Sequence, residues 1–148
     1  MDNHFNIKKY MGVWYEISKY ENQFEKNCSH SSSYYILNSD NTVYVLNTCY
    51  NEEWKRISSI EGTAFQIQNN KFHVKFFEFD QKNDANYIVL RTDYEYYAIV
   101  GSNDKNYLWI LCRNKTMSPK KYNKLLQFCE KIGYDTNRLV LNNNSNYF

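Results

Sequence analysis

Proline is nearly absent from this chain and glycine is scarce, with one Pro and four Gly in 148 residues. That excludes a Pro-rich linker or a low-complexity tract. No apolar run approaches the roughly 18 residues of a membrane-spanning helix. The opening Met1-Asp2-Asn3-His4-Phe5-Asn6 has neither an apolar core nor a small-residue cleavage site, so no signal peptide is read there. The expectation is a cytoplasmic protein, of its own cell or of a host cell, with secretion as the alternative if a signal has been removed. No dense block of basic charge is present: Lys8-Lys9 and Lys120-Lys121 are only dipeptides, and the formal charge is +2. Nucleic acid is therefore not an expected partner. Cys28, Cys49, Cys112 and Cys129 lie too far apart for a Cys-x-x-Cys metal or redox motif, so no metal or other cofactor is expected. Without a signal peptide, free thiols are the default. The acceptor patterns at Asn27, Asn114 and Asn143 then carry little weight. His4, His30 and His73 are scattered and enter no Ser-His-Asp or Cys-His arrangement.

What the chain has in quantity is aromatic side chains, with 15 Tyr and 9 Phe, and 43% hydrophobic residues overall. Such residues fit a pleated sheet. A mean hydropathy of −0.76 adds a wet outer face. The length suits one domain, residues 1–148. Residues 4–10 form one helical turn, and Gly12-Val13-Trp14-Tyr15-Glu16-Ile17 opens the first strand, to about residue 21. A period of two puts Trp14, Glu16, Ser18 and Tyr20 on one face, and Val13, Tyr15, Ile17 and Lys19 on the other. Further strands are expected at about 33–37, 42–50, 57–68, 72–79, 87–92, 96–101 and 107–113. Short polar turns such as Asn38-Ser39-Asp40-Asn41 separate them. Eight strands at this even spacing make an antiparallel meander, and closing it into a barrel removes its edges. Ser118-Pro119 then starts a helix with Tyr122, Leu125, Leu126, Cys129 and Ile132 on one stripe, stopped by Gly133. The stripe packs on the outside of the sheet. The barrel spans about 11–113, the helix about 118–133, and an extended piece and polar tail 134–148.

Three marks fall in order along this meander. Gly12-x-Trp14 lies on the first strand, Thr92-Asp93-Tyr94 at the turn between the sixth and seventh, and Arg113 at the end of the eighth. They resemble the three signatures of the lipocalin family. Tyr10–Ile17, Val45-Leu46-Asn47, Ile60-Glu61-Gly62-Thr63-Ala64 and Tyr107–Arg113 are similar to the subgroup that contains bacterial lipocalin, plant temperature-induced lipocalin and apolipoprotein D. The resemblance covers about residues 5–141. It implies an all-β, eight-stranded up-and-down calycin barrel with a C-terminal helix outside, holding one small apolar molecule. Gly12, Trp14, Thr92, Asp93, Tyr94 and Arg113 would then close one end of the barrel, Arg113 lying over the Trp14 indole. Their role is structural.

The ligand-facing set follows from side-chain parity and the resemblance together. If Arg113 faces the closed end, Leu111, Trp109 and Tyr107 share its face, while Cys112, Ile110 and Leu108 face the helix. The resemblance places Tyr35 and Asn47 in the pocket, and parity adds Leu37 and Val45. On the fifth strand Phe72, Val74 and Phe76 face inward. An eight-stranded barrel has room for one small ligand, and relatives in this subgroup bind fatty acids, lysophospholipids and similar lipids. The expected function is carriage or scavenging of such a lipid without chemistry. Two alternatives stand beside it. One is an isomerase using Cys49, which shares parity with Val45 and Asn47. The other is a module contacting a protein or membrane surface through its open-end loops, where Phe24 sits among polar neighbours. The hairpin register also brings Cys28 within a residue or two of Cys49, with thiols as the expected state.

Overall fold

The computed structural model describes residues 4–21, 28–76 and 85–142. The loop carrying Phe24 lies outside the described residues. Asn6 caps the short helix α1 (Ile7–Tyr10), its side chain accepting from Lys9 N at 3.1 Å. The N-terminal segment is tied across one end of the barrel, where Phe5 N donates to Asn69 Oδ1 at 2.8 Å.

Among the described residues nine strands follow: β1 (Gly12–Tyr20), β2 (His30–Leu37), β3 (Val43–Tyr50), β4 (Arg56–Gln68), β5 (Lys71–Lys75), β6 (Tyr87–Thr92), β7 (Tyr97–Gly101), β8 (Leu108–Cys112) and β9 (Leu139–Leu141). Consecutive strands pair antiparallel from β2 to β8, β8 pairs with β1, and β1 pairs back to β2. Eight strands therefore form a closed barrel with few unpaired edges. The short β9 adds to the second half of β1, Lys19 opposite Val140.

Helix α2 (Pro119–Lys131) is capped by Ser118, whose side chain accepts from Lys121 N at 3.2 Å, with proline in the first turn. Its buried residues Tyr122, Leu125 and Cys129 pack on the outer faces of β1, β7 and β8. Ile17, Tyr20, Tyr97, Ile99, Leu108, Ile110 and Cys112 meet them there. A separate cluster fills the barrel itself, built on Tyr10, Trp14, Tyr35, Val43, Val45, Phe72 and Leu111. Alternation along the strands thus supplies two cores from one sheet.

Two expectations need correction. Cys28 and Cys49 are disulfide-bonded, with Cα atoms 5.2 Å apart, so the free-thiol default fails for this pair. The β2–β3 ladder sets Ser31 opposite Cys49, and Ser29 N donates to Tyr50 O at 3.0 Å, which leaves Cys28 within reach just before the strand. The strict two-residue period of β1 also fails. The pairing with β8 shifts between Glu16 and Ser18, so a bulge at Ile17, itself outward as the period has it, turns Ser18 and Tyr20 outward as well and Lys19 inward.

Candidate functional site

The closed end is built by Arg113 and the residues around it. The Arg113 guanidinium lies 3.7 Å from the centre of the Trp14 ring. It donates from Nε to Tyr94 O at 3.0 Å, from Nη1 to Val13 O at 2.8 Å, and from Nη2 to Lys9 O at 3.0 Å. Trp14 is fully buried and donates Nε1 to Tyr10 O at 2.9 Å. Gly12 has φ +99°, and a Cβ there would press on Arg113 Nη1, so the position needs glycine. At the β6–β7 turn, Asp93 Oδ1 accepts from Tyr96 N at 2.8 Å and Tyr97 N at 3.0 Å. Thr92 Oγ1 donates to Tyr97 O at 2.6 Å, and Tyr94 takes φ +67°. The six signature residues thus meet in one closing element.

Above this plug stands a floor of three tyrosines. Tyr10 Oη lies 2.7 Å from Tyr87 Oη, and Tyr35 Oη donates to Tyr87 Oη at 2.9 Å. Tyr10 stacks on Tyr35 with ring centres 5.8 Å apart. Burial, reinforced by the neighbouring phenols, pushes the Tyr10 and Tyr87 hydroxyls well above the usual tyrosine range. Phe5 packs edge-on against Phe72, ring centres 5.8 Å apart, and the two touch the floor at Tyr10 and at Tyr87 respectively.

The expected pocket residues divide by height. Leu37 pairs with Val43 beside the β2–β3 hairpin at the closed end, below Tyr35, and is half-buried there. Tyr35, Val45, Phe72 and Leu111 are buried in the packed interior. Asn47, Val74, Phe76 and Trp109 stand higher on the wall and are half-buried. Asn47 Oδ1 accepts from Ser33 Oγ at 2.8 Å. The Phe76 ring lies directly on Gly62, where no Cβ would fit. Tyr107 precedes β8 and stacks on Trp109, centroids 5.6 Å apart and nearly parallel. Ile60, opposite Asn47, keeps 40% of its surface exposed although its row faces inward.

Sequence reasoning missed four contributors: Phe5, Tyr10, Tyr87 and the ion pair of Glu16 with Lys19. Phe5 and Tyr10 were visible only as the apolar groups of a helical turn. Tyr87 was visible as an aromatic residue at a strand start. Lys19 Nζ sits 3.4 Å from Glu16 Oε1, both side chains buried. The bulge that turns Lys19 inward has no sequence signal of its own. Cys49 is held in its disulfide, so it is not the thiolate that an isomerase would need. Among the described residues no group of three His, Cys, Asp or Glu side chains is placed to hold a metal ion. A depression of about 520 Å³ lined by His4, Phe5, Gln66, Ile67, Gln68 and Asn69 lies on the outside of the closed end, away from the lumen.

A closed eight-stranded barrel, sealed at one end by an arginine over a tryptophan and flanked by one C-terminal helix, defines a calycin. Residues 5–144 match the family model described as a lipocalin-like domain, and the chain belongs to the lipocalin family. It is 30% identical over 139 residues to the outer membrane lipoprotein Blc of Citrobacter freundii, covering 93% of this chain and 78% of that one. Temperature-induced lipocalin-1 of Arabidopsis thaliana is 34% identical over 146 residues (90% and 76%). Apolipoprotein D of Oryctolagus cuniculus is 32% identical over 157 residues (99% and 80%). Among solved structures, insecticyanin of Manduca sexta superposes with a TM-score of 0.71 at 20% identity, covering 95% of this chain and 81% of that one. The subgroup expected from the sequence is the one found. The cytoplasmic expectation finds no support, since these relatives include an outer membrane lipoprotein and an apolipoprotein. No described helix is long and apolar enough to cross a membrane.

Proposed function

We propose that this lipocalin binds one amphipathic apolar molecule of lipid type within the barrel and carries it unchanged. Lipocalins generally bind small hydrophobic ligands, and the site-specific support comes from the inner wall. The observation that carries the reading is the incomplete filling of that wall: Ile60 is 40% exposed on an inward row, and Val74, Phe76 and Trp109 are only half-buried. An apolar side chain left accessible inside a barrel gains about 25 cal/mol per Å² when a ligand covers it. The tail of the ligand rests on Val45, Phe72 and Leu111 above the tyrosine floor. Asn47, Tyr35 and Tyr107 supply the few polar groups that orient it. Catalysis is not part of this reading: among the described residues the one thiol that shares the inner row, Cys49, is held in a disulfide.

Trp109 is the natural reporter, since Trp14 lies under the floor and Trp54 stacks on His30 at 4.0 Å outside the barrel. Titration of the delipidated protein with sixteen-carbon lipids should change Trp109 emission saturably, and Trp109→Phe should remove that change. Failure of every such lipid to bind, together with absence of lipid from the freshly purified protein, would sink the carrier reading.

A further inference from the structure

Directly opposed residues in antiparallel strands project from the same side of the sheet. Glu16 is opposite Leu111 and Lys19 is opposite Trp109, and both β8 residues belong to the barrel interior. The bulge at Ile17 is what makes this possible. It returns two charged residues three positions apart to the same inner face, while Ser18 turns outward to accept from Tyr122 Oη at 2.8 Å. Glu16 is 6% and Lys19 is 7% exposed. The remaining inward rows of β2 to β8, among the described residues, carry no carboxylate or ammonium group.

An ion pair in this position is a poor stabiliser. The cost of stripping water from two charges offsets their attraction, and two apolar side chains would serve the wall as well. Its height in the barrel suggests another use. β1 runs from the closed end towards the mouth, so Lys19, one residue from the end of β1, stands above the apolar rows and beside Trp109.

We propose that the Glu16–Lys19 pair reads the polar end of the ligand, selecting an uncharged or zwitterionic polar end over a free carboxylate. The proposal deepens the lipid-carrier reading and rests on it. The Lys19 ammonium has three N–H donors and can serve Glu16 and a ligand oxygen together. A hydroxyl, an ester carbonyl or a phosphate balanced by its own ammonium meets that donor without adding net charge. A bare carboxylate that meets Lys19 also lies in the field of Glu16, whose oxygen is only 3.4 Å from the ammonium. Repulsion then offsets much of the attraction, and what is left does not repay the hydration the anion has lost.

The test uses wild type, Glu16→Gln and the double variant Glu16→Gln/Lys19→Met, each checked for native circular dichroism. All three are titrated at pH 8 with palmitate, 1-hexadecanol and palmitoyl-lysophosphatidylcholine. Wild type should bind the alcohol and the lysophospholipid about tenfold or more tightly than palmitate. Glu16→Gln should gain at least tenfold for palmitate relative to the alcohol, because the Glu16 carboxylate no longer repels the anion. The double variant, which is close to isosteric and keeps no charge, should lose the gain and guards against a folding failure in the single one. Palmitate preferred by wild type, or a ratio unchanged in Glu16→Gln, overturns the proposal while leaving the carrier reading intact. If wild type binds none of the three probes, the carrier reading itself fails and this proposal falls with it.

Discussion

Arg113 serves the fold through its planar fork rather than through charge alone. Its three nitrogens reach backbone carbonyls on the N-terminal segment, on β1 and on the β6–β7 turn, and its face covers Trp14. Lysine has neither the fork nor the flat face. Arg113→Ala strands those carbonyls and uncovers the indole, at a cost of about 2–4 kcal/mol. Arg113→Lys should recover less than half of that loss. Trp14→Ala opens a cavity under the floor and costs about 3–5 kcal/mol. Urea denaturation of the three variants beside wild type measures the differences. Wild-type midpoints for both alanine variants would remove Arg113 and Trp14 from their role in closing the barrel. The contact of Arg113 with Trp14 was legible in the sequence because each residue stands in a motif at a strand end. Phe5 was not, since its contacts with Phe72 and Tyr94 join positions far apart in the chain.

Among the elements, α2 and most of the strands were readable for the same reason: one period governs each of them. The parity of β8 holds, with Leu108, Ile110 and Cys112 against the helix and Leu111 in the barrel. β1 was readable only to Glu16. A bulge depends on how the two partner strands fit together, and that information is not contained in either strand's own alternation. The start of β2 was misplaced for a similar reason: His30, Ser31 and Ser32 look like polar loop, yet the β3 ladder and the adjoining disulfide hold them in the sheet. These elements make a specific claim about cysteine chemistry. Cys129 is wholly buried between α2 and the sheet, and burial pushes its thiol up to about 12. Cys112 is equally buried, and burial raises its thiol too. Native protein should therefore give almost no reaction with a disulfide reagent at pH 8. Unfolded without reductant it should show two thiols, from Cys112 and Cys129, and after reduction four. Closing a 21-residue separation stabilises by about 3 kcal/mol, so Cys28→Ser/Cys49→Ser should melt lower by that order. Four thiols in the unfolded, unreduced protein would contradict the bridge.

For the molecule as a whole, the tyrosine floor ties barrel closure to pH. Tyr10 comes from α1, Tyr35 from β2 and Tyr87 from β6, so their hydroxyl cluster joins the N-terminal plug to two separated walls. Tyr87 is half-buried, and its hydroxyl sits between the other two. Burial is the main cause that disfavours the phenolate of Tyr10 and of Tyr87; Tyr35 adds to it at Tyr10, and Tyr10 and Tyr35 both add to it at Tyr87. Unfolded, a tyrosine titrates near 10. Each of these two thus holds its proton more firmly in the folded state. Where the folded state binds more protons than the unfolded one, stability falls as pH rises. The contribution is therefore intact below about pH 10 and is lost above it, by about 1.4 kcal/mol per pH unit for each such group until the folded hydroxyl also ionises. Urea midpoints at pH 8, 10 and 11 should be level between the first two and drop at the third. Tyr87→Phe removes one titrating group and should flatten that drop, even though it lowers stability at pH 8 by breaking both hydrogen bonds. Tyrosinate absorbance that develops fully near pH 10 while near-ultraviolet dichroism stays native would show that the floor is wet. In that case its hydroxyls would be free to exchange with the lumen instead of locking the plug to the walls.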